Sequence, residues 1–236
     1  MSKNLVLVPV YNEEETIAAV LSELRKHYDG DILIIDDGSR DASAGIVKGL
    51  ALPGLSMLSH ADNRGYGAAL IDGFKHAAEN GYDVVVTMDC DWQHEPCQVP
   101  EFLEGIADCD VLSGSRYFGD CPSRDPAPPD RQRINAAVTG RLNQLLGLAI
   151  TDAFCGFKAY RVSALRRLSL DERGYAFPLQ FWVQCRVFNL RLREICVERI
   201  YLHANRSFGA ELDDPERRLR YYESVIEKEK RRWGLT

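Results

Sequence analysis

The chain has 236 residues, 29 Lys+Arg against 35 Asp+Glu, and a formal net charge of −6. With 45% hydrophobic and 27% charged residues it is neither disordered nor fibrous, and a chain of this size buries roughly 70% of its unfolded surface, ample for one core without staples. Residues 1–120 hold 8 basic and 21 acidic side chains, whereas residues 121–236 hold 21 and 14; an acidic front and a basic back point to partners of different charge.

No apolar run approaches the ~20 residues needed to cross a bilayer, and Met1-Ser2-Lys3-Asn4 runs into Leu5-Val6-Leu7-Val8 without the pattern of a signal peptide. The expectation is a cytoplasmic protein rather than an integral membrane one. The seven cysteines are odd in number and never spaced C-x-x-C, which predicts reduced thiols, most of them small buried hydrophobes.

In chain order, strands are expected at 4–9, 31–35, 55–59, 83–88 and 110–115, with helices at 13–28, 41–50, 67–80 and 98–107 between them. Strands joined by helical crossovers predict an α/β fold, a mainly parallel sheet covered on both faces, whose ligands sit beyond the carboxyl ends of the strands. Each strand is followed by a polar cluster: Tyr11-Asn12-Glu13, Asp36-Asp37-Gly38-Ser39, Asn63-Arg64-Gly65-Tyr66-Gly67, Asp89-Cys90-Asp91-Trp92-Gln93-His94 and Gly114-Ser115-Arg116-Tyr117. All five clusters are expected on one sheet edge.

Residues 120–130 are Pro-rich and predict a mobile loop. Helices follow at 131–146 and 179–189, a strand at 193–202, and a basic helix at 215–233 behind the polar stretch 205–214. There is no internal repeat. The organisation expected is one continuous domain, with a nucleotide-binding half at 1–118 and an acceptor-binding half at 119–236.

Asp89 and Asp91, at i and i+2 where a strand runs out, point the same way. Two hard oxygen ligands suit Mg²⁺ or Mn²⁺ bridging a substrate's phosphates, and Gln93 can add a neutral oxygen; a solvated turn is the competing reading. Of Asp36 and Asp37, one is expected to cap the next helix and the other to accept hydrogen bonds from a ribose or base. The G-x-G at Gly65–Gly67 opens a helix and could meet a phosphate there, although a dinucleotide fingerprint would follow the first strand, not the third.

Together, Pro9-Val10-Tyr11-Asn12-Glu13, Asp36-Asp37-Gly38-Ser39-Arg40-Asp41, Asn63-Arg64-Gly65-Tyr66-Gly67-Ala68-Ala69 and Asp89-Cys90-Asp91-Trp92-Gln93-His94-Glu95-Pro96 resemble the GT-A glycosyltransferases of family 2. Gly114-Ser115-Arg116-Tyr117 and Asp152-Ala153-Phe154-Cys155-Gly156-Phe157-Lys158 are similar to the branch containing dolichyl- and polyprenyl-phosphate mannose or glucose synthases. The resemblance spans about residues 5–208. It implies that Pro9, Tyr11, Glu13, Ile35 and Asp37 hold the nucleotide, that Asp89 and Cys90 line the same pocket, that Asp91 and Gln93, with Asp89 beside them, hold the metal, and that Arg116 and Arg206 face phosphate charge. Three positions depart from the branch's pattern: Leu212 stands where a phosphate-binding lysine belongs, Gln180 where a glutamate does, and Glu198 where a proline precedes the closing strand.

The reaction implied is inverting transfer of a hexose from a GDP- or UDP-sugar. A polyprenyl phosphate acceptor is already ionised near neutrality (second pKa roughly 6); a hydroxyl acceptor would need a general base, for which Asp152 is the candidate. Two other classes compete. A nicotinamide-dependent oxidoreductase lacks its glycine fingerprint, and a non-catalytic sugar-nucleotide binder would need a broken metal motif. The basic, aromatic-interleaved helix 215–233 reads either as a solvated helix packed on the core or as an interfacial helix resting peripherally on anionic lipid. Nucleic acid is not an expected partner, since no recognition module is present.

Overall fold

The computed structural model describes residues 2–200 and 211–235. Seven strands, β1 (Asn4–Val10), β2 (Asp31–Asp36), β3 (Leu55–Ser59), β4 (Val84–Thr87), β5 (Val111–Ser115), β6 (Lys158–Arg161) and β7 (Leu192–Cys196), form one sheet in the order β3-β2-β1-β4-β6-β5-β7. Its faces are covered by α1 (Ile17–His27), α2 (Ser43–Gly49), α3 (Tyr66–Glu79), α4 (Val99–Gly105), α5 (Pro129–Leu146), the single turn α6 (Val162–Leu165), α7 (Phe177–Val187) and α8 (Pro215–Trp233). The fold is α/β and of GT-A type. Period-two alternation divides its core: Leu5, Leu7, Leu33, Ile35 and Val85 join the cluster on one face, while Val6, Val8, Ile32, Ile34, Val84 and Val86 join the other. A sheet buried on both faces needs such unbroken apolar strands.

Every ladder is parallel except those of β6, which runs antiparallel to both β4 and β5. Lys158 pairs with Thr87 at the carboxyl end of β4, so β6 starts at the edge where its parallel neighbours finish. The reversal brings residues 151–157 to that edge. Sequence periodicity does not show β6, because four residues, Lys-Ala-Tyr-Arg, carry no alternation.

The 120–130 segment is tied down at several points. Arg124 lies between Glu95 (3.1 Å) and Glu198 (2.8 Å), Ser123 bridges to Arg199, and the Arg199 guanidinium donates to Ser123 Oγ at 2.6 Å. Glu198, in place of the branch's proline, thus has an ion-pair partner in this chain. Cys121 is joined to Cys196, with Cα atoms 5.5 Å apart, which corrects the expectation that all seven thiols are reduced. Cys90, Cys97, Cys109, Cys155 and Cys185 are free, and only Cys97 of these is exposed. Among the described residues no helix is long and apolar enough to cross a membrane.

Candidate active site

A cavity of about 1300 Å³ opens at the carboxyl edge and is lined from all five polar clusters, by Tyr11, Glu13, Asp37, Asn63, Asp89 and Arg116 among others. Its donor side is built by two loops that satisfy each other's backbone. Asn12, in the left-handed region at φ 56°, donates its N–H to Ser39 Oγ and accepts Arg40 N–H on its Oδ1; Glu13 N–H donates to Ser43 Oγ. Asp36 accepts Ser39 N–H at 3.0 Å and so closes the turn. Asp37 lines the cavity, its carboxylate held by the N–H groups of Arg64 (2.9 Å) and Gly65 (2.8 Å). Gly38 is demanded here: at φ +74°, a Cβ would lie 2.5 Å from the Asp62 backbone.

Pro9 and Tyr11 line the same wall. Ile35 does not; it is fully buried in the core.

Past β4, Asp89, Cys90, Asp91 and Gln93 all line the cavity. Asp91 is 8% exposed and accepts Gln93 N–H at 3.1 Å, and Trp92 between them takes φ 61°, a left-handed residue of the kind that clusters at functional sites. Buried His94 accepts Asp89 N–H on Nδ1 (3.0 Å) and stacks on Phe157. Burial pushes its pKa down to about 4, only partly countered by Asp91, so the ring is neutral and carries its proton on Nε2. Among the described residues no group of three His, Cys, Asp or Glu forms a closed metal cage. Asp89, Asp91 and Gln93 would instead offer an open, oxygen-only set, whose chemistry fits a hard divalent cation that completes its shell on phosphates.

The G-x-G has a different role from the one its pattern suggests. A Cβ on Gly67 would meet Glu172 O at 2.2 Å and one on Gly65 would meet Arg173 O at 2.4 Å, and Arg173 O accepts Ala68 N–H at 3.1 Å. These glycines pack α3 against residues 172–174, and the Ala68 N–H of its first turn is taken by that segment. Tyr66 between them directs its hydroxyl to Asp89 Oδ1 (3.4 Å) and stacks on Tyr175. Burial, then the nearby Asp89 charge, raises the Tyr66 pKa well above its ordinary value.

The cavity lining from the back half of the chain is basic and aromatic. Asp152 is wholly buried and takes Arg116 Nε (2.7 Å), Arg116 Nη2 (2.9 Å), Asn135 Nδ2 (2.8 Å) and Phe154 N–H (3.1 Å). Burial alone would raise its pKa, but the Arg116 guanidinium and these hydrogen bonds hold it well below the ordinary carboxylate range. Arg131 and Asn135, one helical turn apart on α5, both line the cavity, as do Phe154, Tyr175 and Tyr222. Arg218, 3% exposed at the start of α8, donates to Asp130 (2.7 Å) and to Leu212 O (2.9 Å). Sequence reading did not single out Arg131, Asn135, Tyr66 or Tyr175. The i, i+4 spacing on a helix leading from the Pro-rich loop is the signal that could have found the first two. Arg206 lies outside the described residues.

The fold is of GT-A type, and carboxylates and arginines line one cavity at the carboxyl edge of its sheet. The chain belongs to glycosyl transferase family 2, whose model matches residues 5–169. It is similar to the undecaprenyl-phosphate mannosyltransferase of Micrococcus luteus, at 33% identity over 199 residues covering 81% of each chain. It is also similar to the polyprenol monophosphomannose synthase of Mycolicibacterium smegmatis, at 32% over 187 residues, 75% of this chain and 69% of that one. Among solved structures, glucosyl-3-phosphoglycerate synthase from Mycobacterium tuberculosis, in complex with Mn²⁺, UDP and phosphoglyceric acid, superposes with a TM-score of 0.73 at 20% identity, over 97% of this chain and 78% of that one. That likeness is one of fold.

Proposed function

We propose that the chain transfers mannose or glucose, with inversion, from a GDP- or UDP-hexose to a polyprenyl phosphate. The observation that carries the acceptor is the Arg116–Asp152 clasp. A general base needs a carboxylate that can take a proton near neutrality and reach the attacking group. Asp152 is buried, saturated with donors and held strongly acidic, which suits it to orienting Arg116. An acceptor phosphate needs no base, only positioning, and the names of the Micrococcus and Mycolicibacterium relatives agree with such an acceptor.

On this reading Pro9, Tyr11, Glu13 and Asp37 receive the nucleoside, and Asp89, Asp91 and Gln93 hold Mg²⁺ or Mn²⁺. The bound metal supplies charge neutralisation on the departing diphosphate. Tyr66 and His94 set Asp89 in place from its side chain and its backbone. Arg116 and Arg131 fix the acceptor phosphate, and guanidinium forks suit that task. One phosphate oxygen attacks the anomeric carbon from the side opposite the diphosphate. The anomeric C–O bond breaks, its electron pair leaves with the nucleoside diphosphate, and no proton moves. The aromatic wall of Phe154, Tyr175 and Tyr222 offers apolar surface to the first isoprene units. Arg217, Arg220 and Arg231 are exposed on α8, consistent with peripheral contact at the cytoplasmic face of a membrane.

Steady-state kinetics of Asp152→Asn and Arg131→Ala test the acceptor. The expected result is a KM for polyprenyl phosphate raised about tenfold with kcat little changed, as for groups that bind an anion. A kcat reduced by about 10²-fold or more in Asp152→Asn, the scale of general-base loss, would instead assign a hydroxyl acceptor.

A further inference from the structure

His60 follows β3 and is contacted on both ring nitrogens by carboxylates. Nδ1 lies 2.6 Å from Asp37 Oδ1 and Nε2 lies 3.0 Å from Asp72 Oδ2. The ring is almost buried, with 9% of the side chain exposed, and Asp37 has 4%. Its position is set by the backbone, because His60 N–H donates to Asp36 O at 2.8 Å, one step beyond the Asp36–Ser59 pair. From the α3 side Arg64 Nη1 donates to the same Asp72 oxygen at 2.8 Å. The charged groups around the ring are therefore Asp37 from the end of β2, Asp72 from α3, and Arg64 from the approach to α3.

An ionised carboxylate only accepts hydrogen bonds, and a neutral imidazole has one donor and one acceptor nitrogen. A neutral His60 would aim one lone pair at a carboxylate oxygen whichever tautomer it took. Only the imidazolium satisfies both contacts, and it also balances charge, since two carboxylates then face Arg64 and His60. We infer that His60 is an imidazolium clamp that positions Asp37 for the nucleotide. The inference rests on the reading that Asp37 holds the nucleotide. With the Arg64 and Gly65 N–H groups, the clamp is the third donor on that carboxylate. A neutral ring would leave either Asp37 or Asp72 facing a lone pair, so only the doubly protonated ring holds both carboxylates.

Nitrogen-15 NMR of histidine-labelled protein, with His60→Gln to assign the resonance, reads the protonation directly. Calorimetric titration with UDP and with GDP, in Mg²⁺, reads the consequence. Both His60 nitrogens are expected to carry protons. His60→Gln should bind both nucleotides about tenfold more weakly, the scale of a lost hydrogen bond to a charged group. Asp72→Asn, whose amide can donate to Nε2, permits a neutral ring with Nδ1–H on Asp37 and should keep wild-type affinity with only one ring nitrogen protonated. A single protonated nitrogen in the wild type, or unchanged nucleotide affinity in His60→Gln, would overturn the clamp. Asp37→Asn separates the two claims: if it binds both nucleotides as the wild type does, the nucleotide assignment fails, and the ring resonance alone decides the clamp.

Discussion

Gln180, where the related synthases carry glutamate, is explained by its neighbours. Its amide nitrogen donates to Asp171 (2.7 Å) and Glu229 (2.8 Å), and its oxygen accepts the N–H groups of Asp171 and Glu172. A glutamate would set a third carboxylate among two, one of them wholly buried. Gln180→Glu is therefore expected to destabilise the protein by at least about 2 kcal/mol near neutral pH in chemical denaturation. Burial and like charge raise the new carboxyl's pKa above its unfolded value, so the deficit should shrink as pH falls and the group takes up a proton that can donate. An unchanged or pH-independent stability would contradict this account of the substitution. Asp152 runs the other way. Its folded pKa is depressed, so its stabilising contribution is present above the unfolded value of about 3.9 and is lost as pH falls through the folded one. Asp152→Asn should lack that acid-sensitive component. At the metal site, Asp91→Ala should cut transfer on the order of a hundredfold or more with an unaltered circular dichroism spectrum, and retained activity would remove Asp91 from the assignment.

The elements divide by how much of their environment is local. The five front strands and their crossover helices were legible because the strands are short apolar runs and the helices repeat every three to four residues, and their polar C-terminal clusters followed directly. β6 was not legible: Lys158–Arg161 is a strand because β4 and β5 leave a slot for it, a long-range fact with no local signature. The same holds within the site. Asp89 and Asp91 announced themselves by spacing, whereas Arg131 and Tyr175 reach the cavity only through the packing of α5 and the 172–176 segment. The G-x-G at the α3 start admits a phosphate contact in the sequence, where pattern alone cannot separate close approach to a ligand from close approach to a neighbouring backbone. Gly67→Ala tests this at the level of the helix. Its Cβ would fall 2.2 Å from Glu172 O, and overpacking of that kind costs about 1–3 kcal/mol. A drop in stability is expected in the absence of any nucleotide. A variant with full stability but weakened nucleotide binding would restore the phosphate role.

At the scale of the molecule, the lopsided charge of the sequence becomes a gradient across one cavity. Its acids, Glu13, Glu14, Glu15, Asp37, Asp41, Asp89 and Asp91, all come from the front half. Of its four arginines, Arg131 and Arg218 come from the back half, Arg116 from the end of the front and Arg40 from within the front. Clefts lined by one sign of charge concentrate ligands of the opposite sign, and on the proposed reading the acidic lining takes the metal and the arginines the anionic acceptor. The antiparallel β6 makes this one site by returning the Asp152 segment to the edge where the front strands end. The most direct test of the central claim is to incubate the protein with radiolabelled GDP- and UDP-hexoses, polyprenyl phosphate and Mg²⁺ or Mn²⁺, and then to extract with organic solvent. The prediction is label in the organic phase for at least one donor, dependent on the polyprenyl phosphate and abolished by EDTA. No label there with any mannose or glucose donor, or label indifferent to EDTA, would contradict the account.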